Sequence, residues 1–321
     1  MRRIRIGRGW RWGLALGLVL LLVAGGLFYR SSLEQVALDA AAGAPATTRY
    51  PAPGDTVTSG TRRTRAPGRN RGRRNPSNTR GADGPAVRTI PAAPGGRADA
   101  AKVIVGLGDS VPAGANCSGC TTYVDEVGHR FAAAGGDGAV IYNHAVSGYT
   151  TGDVLRQLDD GGLKRHLARA DLVILTIGAN DLDTGFLTDP ACAGEALLGC
   201  YAAELATVRG DLDRIEATVL AALKPGARLV VTGYWNVFTD GAVGRAEGAA
   251  WVSGSDALTV RANALIEEVT RGRAGTYVEV RPAFRGADGS QDITDLLADD
   301  GDHLNAAGHV RMADVITAAL R

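Results

Sequence analysis

From about residue 101 onward the chain alternates short apolar runs with longer amphipathic stretches, and this limits its architecture more than any other feature. The runs are KVIVGLG at 102–108, AVIYNHA at 139–145, DLVILTIG at 171–178, RLVVTGY at 228–234 and TYVEV at 276–280. Short apolar runs rich in valine and isoleucine predict strands buried on both faces. Helical stretches fall at 121–134, 151–168, 201–223, 255–271 and 306–320. Strands alternating with helices predict a parallel sheet covered on both sides, hence a three-layer α/β/α domain over residues 101–321. In such sheets, sites form at the carboxyl ends of the strands.

The rest of the chain is different in kind. Residues 1–100 carry 17 Lys and Arg against 5 Asp and Glu, whereas residues 101–321 carry 18 against 29, so a net charge of +1 hides a basic front on an acidic body. Five arginines precede an uncharged apolar run at 12–29. A positive flank followed by an apolar run predicts export through a membrane. The run is longer than an ordinary cleaved signal and slightly short of the roughly 20 residues that span a bilayer. Residues 1–30 are therefore read as a signal anchor, which puts the domain outside the cell on a single-pass membrane protein; cleavage and secretion is the alternative. Residues 31–100 are rich in Pro, Gly, Thr, Ser and Arg. Such a composition cannot bury enough apolar surface to offset its ordering entropy, so a disordered tether is expected. Its arginines suit anionic lipid or an envelope polymer, and the absence of interleaved aromatic residues argues against nucleic acid.

Four cysteines, Cys117, Cys120, Cys192 and Cys200, all fall in predicted loops of the domain. In an exported chain they are disulfide candidates rather than metal ligands. Local pairing of Cys117 with Cys120 and of Cys192 with Cys200 is the simplest of three possible connectivities.

The strand ends carry a consistent chemistry. The first strand runs into Gly108-Asp109-Ser110, the second leads to Asn143, Ser147 and Gly148, the third leads to the turn GAND at 178–181, and His303 precedes the last helix. A serine hydroxyl attacks an acyl carbon only if a base takes its proton, and an imidazole with an ordinary pKa of about 6.5 serves that role. A carboxylate on the far ring nitrogen fixes the tautomer, and Asp300 stands three residues before His303. The developing oxyanion needs fixed donors; the backbone N–H groups of Ser110 and Gly148 and the side-chain amide of Asn180 are the candidates.

These residues resemble the blocks of the SGNH hydrolases, the GDSL esterases and lipases. GLGDSVPAG looks like the family's first block with Ser110 as nucleophile, NHAVSGYTT like the second with Gly148, IGANDL like the third with Asn180, and DGDHLNAAGH like the last with Asp300 and His303. The resemblance implies a flavodoxin-like fold with five parallel strands and ester or thioester hydrolysis through an acyl-serine intermediate, with no metal or organic cofactor. It also selects Asp300 over Asp299 and Asp302. Val111 stands where the family often has leucine, and the turn after His303 lacks a frequent proline. His129, His144, His166 and His309 match no block and are assigned no catalysis, and Asp109 is read as an organiser of its loop.

Two further readings share the fold. One is a cell-envelope carbohydrate O-deacetylase or an acyltransferase, which uses the same serine chemistry; the other is a binding module without catalysis. Pocket walls are expected from segment 234–257, with Trp235, Phe238 and Trp251, and from the cysteine-bearing segment 183–204.

Overall fold

The computed structural model describes residues 85–97 and 100–321. The expected N-terminal anchor and the tether up to residue 84 lie outside the described residues. Among the described residues, no helix is long and apolar enough to cross a membrane.

Six strands form one sheet: β1 (Ala86–Ile90), β2 (Lys102–Gly108), β3 (Ala139–Asn143), β4 (Leu172–Thr176), β5 (Arg228–Thr232) and β6 (Thr276–Val278), in the order β1-β3-β2-β4-β5-β6. The last five in this order are parallel, and β1 pairs antiparallel with β3 at the edge, Ala86 facing Asn143 and Ile90 facing Ala139. All five residues of β4 are buried, and so is every residue of β2 except Lys102. Unbroken apolar runs are what a sheet covered on both faces demands. The predicted α/β/α fold with five parallel strands is therefore present, with one edge strand more than expected.

Among the described residues ten α-helical segments follow in chain order: α1 (Ser110–Ala113), α2 (Tyr123–Gly135), α3 (Thr151–Gln157), α4 (Gly161–Leu167), α5 (Leu197–Cys200), α6 (Ala202–Ala222), α7 (Gly241–Ala246), α8 (Ala249–Arg271), α9 (Arg281–Arg285) and α10 (Ala306–Ala319). Helices α2 and α10 pack together on one face, while α3, α4, α6 and α8 cover the other. Right-handed crossovers produce this division, because the connection from β2 to β3 runs in the opposite direction along the sheet from those that follow. The chain reverses direction between β2 and β4, and the ends of these two strands bound a crevice of the kind in which open α/β sheets place their sites.

The structure corrects four boundaries. Strand β1 lies inside the segment read as tether, so the domain takes in residues 85–97 as well as those from 101 on. Composition concealed it because β1 contributes backbone hydrogen bonds rather than a core face: four of its five side chains are exposed and only Ile90 is half-buried. The helix expected over 151–168 is two, α3 and α4. Asp160 stops the first by capping the second, its carboxylate accepting from Leu163 N at 2.8 Å. Helix α8 starts at Ala249, six residues earlier than predicted, so Trp251 sits on a helix and not in a mobile wall. Strands β3 to β6 each stop two residues short of their predicted ends, where the chain turns toward the crevice.

Candidate active site

Strand β2 ends at Gly108, whose φ is +130° and whose Cα faces the β4 backbone so closely that an added Cβ would lie 1.8 Å from Thr176 O. Only glycine fits there. Asp109 then caps α1, its carboxylate accepting from Val111 N at 2.9 Å, and Ser110 becomes the first helical residue. Gly114 ends this single turn at φ +72°. The chain thus lifts Ser110 off the sheet edge on a sharp strand-to-helix corner, and Asp109 is the organiser expected. Buried Asn143 holds the corner from beneath, donating to Pro112 O at 2.7 Å and accepting from Ala145 N at 3.2 Å.

Two loops rise beside it. The loop after β3 is tied to β2 by Val146 N donating to Gly108 O at 3.0 Å, and turns at Gly148 with φ +84°. The loop after β4 turns at Gly178, φ +126°, into a 3-10 turn over Ala179–Asp181. They are laced together: Asn180 Nδ2 donates to Tyr149 O at 2.9 Å, and Asp181 accepts from Thr151 N at 2.9 Å and from Thr151 Oγ1 at 2.6 Å. Asn180 spends one amide hydrogen on Tyr149 and keeps the second. The N–H groups of Ser110 and Gly148 have no acceptor among the described residues.

His303 comes from the loop before α10, which an isolated bridge between Leu297 and Leu304 closes. Its Nδ1 donates to Asp300 Oδ2 at 2.7 Å, and its backbone N donates to Asp300 Oδ1 at 3.1 Å. Asp302 lies 3.9 Å from the same ring nitrogen and makes no hydrogen bond to it. Burial works against the Asp300 charge, but donors from His303, Asp302 N and Asn116 outweigh it and hold the carboxyl well below its usual range. Burial likewise opposes an imidazolium at His303, yet the Asp300 hydrogen bond and the surrounding carboxylates prevail and raise its pKa. Asp302 is pushed up by burial.

A single cleft of about 210 Å³ is lined by Ser110, Asn180 and His303 together with Asp109, Tyr234, Trp235 and Phe238. Residues far apart in sequence are thus brought to one place, with Asp300 behind the histidine. Gly148 is exposed on the neighbouring loop and does not line the cleft. Of the expected walls, Trp235 and Phe238 face the cleft, whereas Trp251 turns its indole N–H to Thr239 O at 3.0 Å. In segment 183–204 Thr184 lines the cleft, while Tyr201 and Phe186 pack edge to face. Both disulfides pair locally, Cys117 with Cys120 and Cys192 with Cys200.

Two participants escaped the sequence reading. Asn116 has φ +56°, and its amide donates to the Asp300 carboxylate. Asparagine tolerates that conformation better than most residues, but no spacing rule connects position 116 with position 300. Tyr234 follows β5 and donates its hydroxyl to Asp109 Oδ2. The only signal for it was its place at the carboxyl end of a parallel strand. Among the described residues no group of three or more His, Cys, Asp or Glu side chains is arranged to hold a metal ion.

Comparison with known proteins agrees with this architecture. The model of the GDSL-like lipase/acylhydrolase family matches residues 107–311. No curated protein sequence matches the chain. Similar solved structures include the extracellular lipase of Streptomyces rimosus, 23% identical with a TM-score of 0.52 over 68% of this chain and 100% of that one. Phospholipase A1 of Streptomyces albidoflavus is 22% identical, TM-score 0.49, over 68% and 100% of the two chains. An acetylxylan esterase of Geobacillus stearothermophilus is 16% identical, TM-score 0.47, over 70% and 95%. The family match spans more than half of the sequence and every strand end that bears a site residue, so the chain belongs to the GDSL-like lipase/acylhydrolase family of carboxylic ester hydrolases.

Proposed function

We propose that the protein is an exported serine esterase in which Ser110 is the nucleophile, His303 the general base and acid, and Asp300 the carboxylate that orients the histidine. The observation that carries this reading is the convergence of Ser110, Asn180 and His303 on one cleft while Asp300 accepts the Nδ1 proton of His303 at 2.7 Å. With Nδ1 protonated, Nε2 of the neutral ring has a free lone pair for the serine proton.

Ser110 Oγ attacks the ester carbonyl carbon as its proton passes to His303 Nε2. The donors to the oxyanion are the N–H of Ser110 and the second amide hydrogen of Asn180, both in the cleft, with the N–H of Gly148 reaching it only if its exposed loop moves in on the substrate. Collapse breaks the bond to the alcohol oxygen, which takes the proton from His303 and departs. Water then repeats the sequence on the acyl-serine, releasing the carboxylic acid and restoring Ser110. Ser110 Oγ makes no hydrogen bond among the described residues; such catalytic contacts commonly tighten only when substrate is bound. Export is supported by the charged and apolar residues 1–30 and by two disulfides, which persist outside the cytoplasm.

The test is hydrolysis of p-nitrophenyl acetate by the wild type and Ser110→Ala, with fluorophosphonate labelling and peptide mapping. Loss of both activity and label in the variant is expected. Turnover surviving in Ser110→Ala overturns the proposal.

A further inference from the structure

We infer that the enzyme is selective for short acyl groups, about acetyl to butyryl, and discriminates against medium and long fatty acyl chains. This rests on Ser110 as nucleophile. At the tetrahedral carbon one bond goes to Ser110 Oγ, the oxyanion faces Asn180 and the leaving oxygen faces His303. The acyl substituent is left with the rest of the cleft lining, whose large apolar side chains are Leu182, Trp235, Val237 and Phe238.

That wall is close and firmly held. The whole cleft measures about 210 Å³. A cavity of about 150 Å³ takes one benzene, and pockets for drug-sized ligands run from about 300 to 1,000 Å³. The cleft itself encloses a few carbons beside the reacting ester, and the rest of a fatty chain would have to leave it over the open rim, without apolar contact inside the cleft.

Enlarging the cleft requires the segment from Tyr234 to Phe238 to retreat, and hydrogen bonds to α8 oppose this. Asn263 donates to Tyr234 O at 2.8 Å and accepts from Tyr234 N at 2.9 Å. Thr259 accepts from Val237 N at 3.0 Å, and Asn236 donates to Ser255 Oγ at 3.2 Å. Asn236, Ser255, Thr259 and Asn263 are all buried, so each bond lost leaves a polar group without water. Behind the wall, Trp235 stacks on fully buried Phe284 with ring centroids 5.3 Å apart. The floor has packed aromatic rings where a long chain would need a tunnel.

The experiment is kcat/KM for p-nitrophenyl esters from acetyl to palmitoyl, with labelling rates of the wild type by methyl and octyl fluorophosphonates beside it. A fall of at least about tenfold from butyryl to octanoyl is expected, since a pocket can discriminate by that factor over a single methylene. The methyl probe should label faster than the octyl one. Phe238→Ala should recover octanoyl turnover relative to butyryl; should that variant not fold, the wild-type probe rates decide. Octanoyl or longer esters turned over as well as butyryl, with Ser110 labelled equally by both probes, overturn the inference and leave the serine mechanism standing. Absence of any label on Ser110 overturns both.

Discussion

Tyr234 donates its phenol hydrogen to Oδ2 of Asp109, and the phenol oxygen of Tyr234 in turn accepts the Ala179 N–H at 3.3 Å. Asp109 directly precedes Ser110 and Ala179 directly precedes Asn180, so one buried hydroxyl joins the Ser110 corner to the Asn180 loop. Burial pushes Asp109 up to about 6, against the opposing pull of the Tyr234 and Val111 hydrogen bonds. The pair ties together the two turns that carry Ser110 and Asn180.

Tyr234→Phe removes that bridge and keeps the ring. A hydrogen bond to a charged group contributes about 1.5–3 kcal/mol, so kcat should fall by about 10-fold to 100-fold while KM changes little. Asp109, deprived of its donor, should titrate at higher pH. A kcat equal to wild type, measured on the short esters, would show that the two loops hold their places unaided.

The two candidate carboxylates can be separated by kinetics. Asp300→Asn should lower kcat by about 10³–10⁴-fold, because the amide favours the wrong histidine tautomer. Asp302→Asn, with no hydrogen bond to the ring, should stay within about fivefold. The pH profile supplies a second readout. His303, the proposed base, can accept a proton only when neutral, and its pKa is raised, so the acidic limb of kcat/KM should lie above about 6.5 and activity should fall as pH drops through it. Loss of the Asp300 charge should move that limb to lower pH.

Glu216 on α6 is fully buried; one carboxyl oxygen accepts from Thr270 Oγ1 at 2.7 Å, and the other has no partner among the described residues. Burial raises its pKa to about 7. An acid whose folded pKa exceeds its unfolded value stabilises the fold most below the unfolded value, and this contribution is lost as pH rises through about 7. Glu216→Gln should therefore be more stable than wild type above about pH 8, by on the order of 2 kcal/mol, and lose the advantage near about pH 5. Thermal melting at the two pH values checks this. Equal midpoints at alkaline pH would mean that the carboxylate is already compensated.

Legibility differed between kinds of residue. Strand β2 was readable to the residue because apolar side chains fill both of its faces. Edge strand β1 was not, because exposed side chains and backbone pairing leave no trace in hydrophobic pattern. Ser110, Asn180 and His303 could be nominated because acyl transfer restricts the residue types and each ends a strand or precedes a helix. Asn116 could not, since an asparagine aimed at a carboxylate more than 180 positions away follows no local rule.

The sequence by itself determined the parallel sheet and the chemical types gathered at its carboxyl edge, since periodicity and strand-end position are local properties of the chain. It also fixed which cysteines are close enough in sequence to pair locally. Proximity in the sequence left Asp299, Asp300 and Asp302 level, with only the block resemblance favouring Asp300; the tertiary structure has Asp300 and not Asp302 hydrogen-bonded to the histidine ring, and it alone decided that Tyr234 couples Asp109 to the Asn180 loop. It also decided that Trp235 and Phe238 come to line the cleft of about 210 Å³ beside Ser110. Hydrogen bonds and packing act over a few ångströms, so which of several adjacent carboxylates or aromatic rings meets its partner depends on the direction in which the folded backbone points each side chain.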